Sequence, residues 1–311
     1  MNDYILAKRY ITHNCLENCI ANLCDYYRID FRPLFVNSWD FGFNNNESIL
    51  EKQIDFNSNF DWCLECFKIS KTYFNMSFIP INNIEIDIMN SLRDGKIILL
   101  QADAYNLPWN LAFLKYHSHH YFIAKFDFDN NLISVTDSFC SEKKIELPSL
   151  DGLNILECRI VQLLGNGQDE TTPILLRAGY HIIMESNIHN NIFNSIRHFG
   201  DELEKIDSIE KLTKCTDDLT HSIFLRKLKN ISDERYNVKC FFEYIQLSNK
   251  YVDSMGVIYN KWKTIETMFV KILVSKKLNS ITRIREEIYF VAKLENDLCN
   301  AIIEEKNNAN T

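Results

Sequence analysis

A cysteine, a histidine and an aspartate set far apart along the chain could together perform acyl chemistry. Cys15 lies in the run HNCLENCIANLCDYY at 13–27, where Leu16, Cys19, Ile20, Leu23 and Tyr27 recur at three- and four-residue steps. That spacing predicts an amphipathic helix with one apolar stripe. Thr12 and Asn14 are good N-cap residues, so the helix is expected to start within a residue or so of Cys15. A sulfur at that end sits in the partial positive field of unsatisfied N–H groups. The field favours the thiolate, which is the form that attacks a carbonyl carbon. The competing reading is a cysteine packed as a small hydrophobe.

A cysteine nucleophile needs a base within hydrogen-bond reach, and the base needs a third group to hold its tautomer. The segment HYFIAKFDFDNNLISVTDSF at 120–139 supplies both. Its two apolar runs flank Asp-Asn-Asn turn residues, predicting a β-hairpin over Tyr121–Phe126 and Leu132–Thr136. His120 then enters the first strand and Asp137 leaves the second, and antiparallel pairing brings those two ends together.

The elements around these residues read as follows. Residues 82–94 predict a helix ended by Gly95, and KIILLQAD at 96–103 predicts a buried strand. Asp103 either bonds the histidine-bearing loop that follows or simply ends its strand. In that loop Trp109 lines a substrate pocket or joins the core. His117 and His119 beside His120 lack the matched ligand spacing of a metal site, so no metal is expected. The irregular stretch from Phe35 to Phe43 is aromatic, and Trp39, Phe41 and Phe43 are candidates to wall an apolar pocket beside the helix; core packing is the alternative. Cys63 and Cys66 form a single CxxC in a helical-looking stretch, with no second pair to complete a zinc site.

With 311 residues and 46% hydrophobic composition, the chain can build one large or two ordinary cores. No apolar run reaches the length of a spanning helix and the N-terminus lacks a signal-peptide h-region, so the expected location is cytoplasmic, with no membrane partner. Ten unevenly spaced cysteines then point to reduced thiols. A net charge of −8 argues against broad nucleic-acid binding, which needs cations to neutralise phosphates. Only eight glycines and five prolines favour long helices over a many-stranded sandwich. Strands are expected near 144–147 and 155–164, and the polar run GNGQDETTP at 165–173 is the expected domain boundary. Beyond it, helical periods run near 186–204, 208–229, 234–275, with a break around Gly256, and 280–306, before a disordered-looking KNNANT.

The order of cysteine, strand histidine, hairpin and aspartate resembles the papain-like fold in its bacterial form, including the double-glycine leader peptidases. It is most similar to the acyltransferases of the butirosin-biosynthesis type and to thiotemplate amide synthases of the polythioamide (closthioamide) kind. The stretches that carry the likeness are HNCLEN at 13–18, DAYNLPW at 103–109 and KYHSHHYFIAKFDFDNNLISVTDSF at 115–139. The resemblance implies an α+β fold: a papain-like domain over 1–168 with an antiparallel sheet and a nucleophile helix, then an α-helical bundle over 169–311. It makes Cys15 the nucleophile, His120 the general base and then acid, and Asp137 the orienter. Leader peptidases carry an oxyanion-hole Gln shortly before the cysteine, and the run KRYITHN has none. The Cys15 amide, with Asn14 or His13, is then left to hold the oxyanion.

A thiolate can hydrolyse an amide, or exchange with a thioester and pass the acyl group to an amine. Thioester exchange is nearly isoenergetic and its aminolysis runs downhill, so transfer needs no ATP, and no P-loop is present. The expected activity is therefore an amide synthase of nonribosomal, thiotemplated secondary metabolism. Its partners would be an acyl or peptidyl carrier protein and a small amine acceptor. No cofactor is expected beyond the phosphopantetheine that the donor's carrier brings. A cysteine peptidase or amide hydrolase, and a non-catalytic ligand-binding protein on the same fold, are the alternatives.

Overall fold

The computed structural model describes residues 5–44, 47–55, 74–78, 84–140, 145–163, 192–213 and 222–309, with Arg177, Tyr180, Met184 and Leu219. Among these the fold is α+β, with an antiparallel sheet and a helical C-terminal part. The chain divides into two units, Met1–Phe31 with Phe67–Asp169, and Arg32–Cys66 with Glu170–Thr311. The first unit thus departs from an uninterrupted 1–168 domain, because the segment from Arg32 to Cys66 clusters with the helical residues. The boundary run at 165–173 and the CxxC pair Cys63 and Cys66 lie outside the described residues.

In the first unit α1 spans Cys15–Tyr27, β1 Phe74–Phe78, α2 Ile84–Arg93, β2 Ile97–Asp103, β3 His119–Asp127, β4 Leu132–Thr136, β5 Ile145–Leu147 and β6 Ile155–Leu163. The strands pair antiparallel throughout, in the order β1-β6-β2-β3-β4-β5. Gly95, at φ +78, lets the chain leave α2 in the left-handed region and turn into β2. The hairpin between β3 and β4 is held at its turn by Asp127, whose carboxylate accepts the Asp129 and Asn130 amides at 3.1 and 3.2 Å. Asn131, at φ 55, closes it.

Helices cover both faces of the sheet. Phe122, Ala124 and Phe126, alternate residues of β3, share a buried cluster with Ile88 and Leu92 of α2 and with Ile98 and Leu100 of β2. Lys125, on the other face of β3, reaches the Tyr26 hydroxyl of α1 at 3.3 Å. Because successive strand side chains point to opposite faces, α1 and α2 lie on opposite sides of the sheet. Covering both faces explains why Ile97, Ile98, Leu99 and Leu100 are all buried.

The second unit contains α3 Ile192–Glu202, α4 Ile223–Tyr244, α5 Asn249–Ser275 and α6 Ile281–Ala309. Three expectations change here. The chain breaks between α4 and α5, at Ile245–Ser248 with Gln246 at φ 56, and Gly256 lies inside α5. Within the stretch read as a helix over 208–229, the helical residues described before Ile223 are 3-10 ones, at Ile209–Lys211 and at Leu219. The last helix also continues to Ala309, through residues that composition alone makes look disordered.

At the centre of this unit Glu295 is fully buried and accepts four hydrogen bonds. They come from Arg235 Nε and Nη2, both at 3.0 Å, Trp262 Nε1 at 2.7 Å and Trp39 Nε1 at 2.8 Å. Arg235 completes its own set with the Asp40 carbonyl at 2.9 Å. A buried carboxylate is tolerated when its charge is paired and its lone pairs are filled, as they are here. Gly200 sits at a close approach, since a Cβ there would stand 3.0 Å from the Tyr289 ring and press that ring to shift. Among the described residues no helix is long and apolar enough to cross a membrane.

Candidate active site

The first residue of α1 is Cys15, and its placement follows from a capping box. Asn14 Oδ1 accepts the Glu17 amide at 2.9 Å, and Glu17 Oε2 accepts the Asn14 amide at 2.8 Å. The first intrahelical bond runs from the Asn18 amide to the Asn14 carbonyl at 2.9 Å. The amides of Cys15 and Leu16 precede it, so they belong to the donors a helix leaves without an internal partner. They are candidate donors for an oxyanion at the helix start.

The chain leading to Cys15 is clamped to α1 by two buried asparagines. Asn18 accepts the Tyr10 amide at 2.8 Å and donates to the carbonyls of Tyr10, His13 and Asn14. Asn22 accepts the Lys8 amide at 2.8 Å and donates to the Lys8 carbonyl and to Ser138 Oγ, the latter at 2.7 Å. Through Ser138 this clamp also fixes the residue next to Asp137. Sequence reasoning missed both asparagines, although polar residues on an otherwise apolar helix stripe are a signal for such a clamp.

His120 Nε2 and Asp137 Oδ2 are hydrogen-bonded at 2.8 Å, both residues buried. With Nε2 committed to Asp137, Nδ1 is the nitrogen left to serve Cys15, a half-buried thiol near enough to raise the imidazole's pKa. His120 and Asp137 are in direct contact, and Cys15 acts on His120 electrostatically. Burial is the largest single influence on His120 and lowers its pKa. Hydrogen bonds to Asp137 and Cys15, with the charges of both, outweigh it and raise the imidazole to about 9.

The carboxylate of Asp137 accepts two further hydrogen bonds, from Trp109 Nε1 to Oδ2 at 2.9 Å and from the Phe139 amide to Oδ1 at 2.8 Å. Trp109, half-buried, packs edge-on against Phe122 at 5.6 Å. Of the pocket and core alternatives weighed from sequence, the structure shows core packing, and the indole N–H in addition holds Asp137. The Phe139 ring stands edge-on to His120 at 5.7 Å, and the Arg9 guanidinium lies over the same ring at 5.0 Å.

Asp103 holds the loop that delivers His120. It accepts His117 Nδ1 at 2.5 Å, the Ser118 amide at 3.3 Å and the Tyr105 amide at 3.1 Å. The His117 hydrogen bond is the main reason its carboxyl sits below the usual range. Tyr105 stacks on His117 at 4.5 Å. Asp103 fits both sequence readings, since it is the last residue of β2 and also bonds the histidine loop.

Two other expectations are revised. His13 is buried between Tyr10, stacked at 4.9 Å, and Phe31, edge-on at 5.3 Å. Burial lowers its pKa to about 4, so it is neutral at pH 7. It anchors the aromatic packing ahead of the helix, while the Asn14 side-chain oxygen is taken by its cap. Trp39 and Phe41, expected to wall a pocket, are buried in the helical unit instead. Trp39 bonds Glu295 and packs against Phe193 and Phe242, and Phe41 stacks on Trp262 at 6.1 Å. Phe43 is half-buried against Phe199 at 6.0 Å.

Among the described residues no group of three His, Cys, Asp or Glu side chains is arranged to hold a metal ion. Cys15, His120 and Asp137 supply the group types of a cysteine nucleophile: a thiol at a helix N-terminus, an imidazole and a carboxylate that holds the imidazole. The chain matches no protein-family model, and no curated protein shows significant similarity to it.

Proposed function

We propose that this chain is a cysteine-dependent acyltransferase on a papain-like scaffold, forming amide bonds in the cytoplasm without ATP. The observation that carries the reading is the buried His120–Asp137 pair at 2.8 Å, with Cys15 acting on its imidazole from the start of a capped helix. The resemblance of HNCLEN, DAYNLPW and the histidine hairpin to butirosin-type acyltransferases and thiotemplate amide synthases supports transfer over hydrolysis.

In the first half-reaction the Cys15 thiolate attacks the carbonyl carbon of an acyl thioester carried on a phosphopantetheine arm. The oxyanion develops toward the Cys15 and Leu16 amides. The carrier sulfur leaves with the proton from His120, and the acyl group remains on Cys15. In the second, an amine attacks that thioester, His120 takes the amine's proton, and Cys15 departs as thiolate. The sum is thioester plus amine giving amide plus carrier thiol, so no energy source is needed beyond the thioester.

Intact-mass analysis with an acyl N-acetylcysteamine thioester, a small mimic of the carrier arm, tests this. An acyl adduct is expected on the wild type and absent from Cys15→Ala, and added amine should convert it to amide. Hydrolysis that amine cannot divert would make the protein a hydrolase or peptidase. Absence of any adduct would leave a ligand-binding protein on the same fold.

A further inference from the structure

The guanidinium of Arg9 lies beside the reactive residues and has no task in the mechanism above. It lies 5.0 Å over the Phe139 ring, and that ring stands 5.7 Å from His120. The guanidinium can be no farther from the imidazole than those two lengths laid end to end. Phe139 is itself fixed, because its amide bonds Asp137 Oδ1 at 2.8 Å. The backbone on either side of Arg9 is fixed as well: Lys8 is held through both its amide and carbonyl by Asn22, and Tyr10 likewise by Asn18.

Despite this anchoring, Arg9 is exposed and forms no ion pair among the described residues, whereas its neighbour Lys8 is paired with Asp25 at 2.6 Å. A guanidinium lying over an aromatic ring commits its flat face and keeps its in-plane N–H fork for an incoming oxyanion. That fork matches a carboxylate, which it can bind through two parallel hydrogen bonds.

Resting on the acyltransfer reading, we propose that Arg9 binds the carboxylate of the acceptor, and that the acceptor is therefore a small amino acid rather than a simple amine. The step that needs such an anchor is the second one. Water competes with a free amine for the acyl group on Cys15. Tethering the acceptor by its far end turns attack by its amine into a nearly intramolecular event. The carrier's phosphate does not suit Arg9 in the same way, because the whole pantetheine arm separates it from the thioester that Cys15 attacks.

The test uses the full chain, acylated from an N-acetylcysteamine thioester, with glycine and 4-aminobutyrate as acceptors against glycinamide and 4-aminobutanamide. The wild type should prefer each acid over its amide by about 10–100-fold in kcat/KM, the range of a charge-assisted pair. Arg9→Gln should raise KM for the acids and close that gap, and Arg9→Lys should keep part of it. Equal rates with acids and amides in the wild type would overturn the proposal. So would a loss in Arg9→Gln that is the same for all four acceptors, which would give Arg9 a part in stabilising the oxyanion. A preference for a carboxylate on the acyl donor, tested with succinyl against butyryl thioesters, would also overturn it. If no acyl-Cys15 forms, the acyltransfer reading fails and this inference with it; if the adduct forms and no preference appears, this inference alone fails.

Discussion

Replacing Asp137 with asparagine keeps the shape of the side chain and removes one charge and one acceptor. The carboxylate accepts from Trp109 and His120 at one oxygen and from the Phe139 amide at the other. Asparagine has a single acceptor oxygen and an NH2 that only donates. If that oxygen stays with Trp109 and His120, the NH2 is turned against the Phe139 N–H, a mismatch costing about 1–3 kcal/mol. The lost charge acts on His120, for which Asp137 supplies both a hydrogen bond and a favourable charge against the opposing effect of burial. With Asp137 neutral, the imidazole should titrate well below its value of about 9.

The pH dependence of stability follows from the same shift. A folded-state pKa above the ordinary 6.5 means that the imidazolium's contribution is complete below 6.5 and is lost as pH rises through about 9. Asp137→Asn should flatten that alkaline fall. It should also slow Cys15 acylation by about 10²–10⁴-fold, since the base loses both its orientation and the charge that favours its protonated form. Stopped-flow acylation with a chromogenic thioester and urea denaturation from pH 6 to 10, with a histidine NMR titration, measure all three quantities. Acylation at the wild-type rate, with the alkaline fall in stability intact, would refute the assignment of Asp137 as the group that holds His120.

Two further substitutions test the surrounding structure. Glu295→Gln leaves Arg235 buried without its full partner, and urea denaturation should show a loss of about 3–5 kcal/mol; a loss below about 1 kcal/mol would mean that the four hydrogen bonds to Glu295 do not hold the helical unit together. His13 is held down to about 4 by burial and titrates near 6.5 once unfolded, so it withdraws up to about 3 kcal/mol as pH falls from 6.5 to 4. His13→Phe preserves the packing on Tyr10 and Phe31 and should flatten this part of the acid limb, and melting curves at pH 4 and pH 7 that fall in parallel with the wild type would count against it.

Local chemistry along the chain was enough to predict the hairpin and the start of α1. Asp127, Asn130 and Asn131 form the turn from their own short side chains and tolerance of positive φ, and period-two alternation sets the faces of β3 and β4. His120 and Asp137 meet because that register is local. The N-cap preference of Asn14 is likewise local, which is why the sequence places Cys15 at a helix start; the structure adds Glu17, which completes a capping box.

Contacts between distant segments could not be read this way. Trp39 has the same composition and spacing signal whether it walls a pocket or fills a core, and what decides is Glu295, 256 residues away. Trp109 becomes a donor to Asp137 only when the loop after β2 folds over the hairpin's end. Arg9 gains its place over Phe139 from asparagines on the opposite side of the capped turn. Hydrophobic periodicity reports that a residue is buried or exposed, one element at a time; which element supplies its partner depends on how the layers pack, and only the tertiary structure decides that.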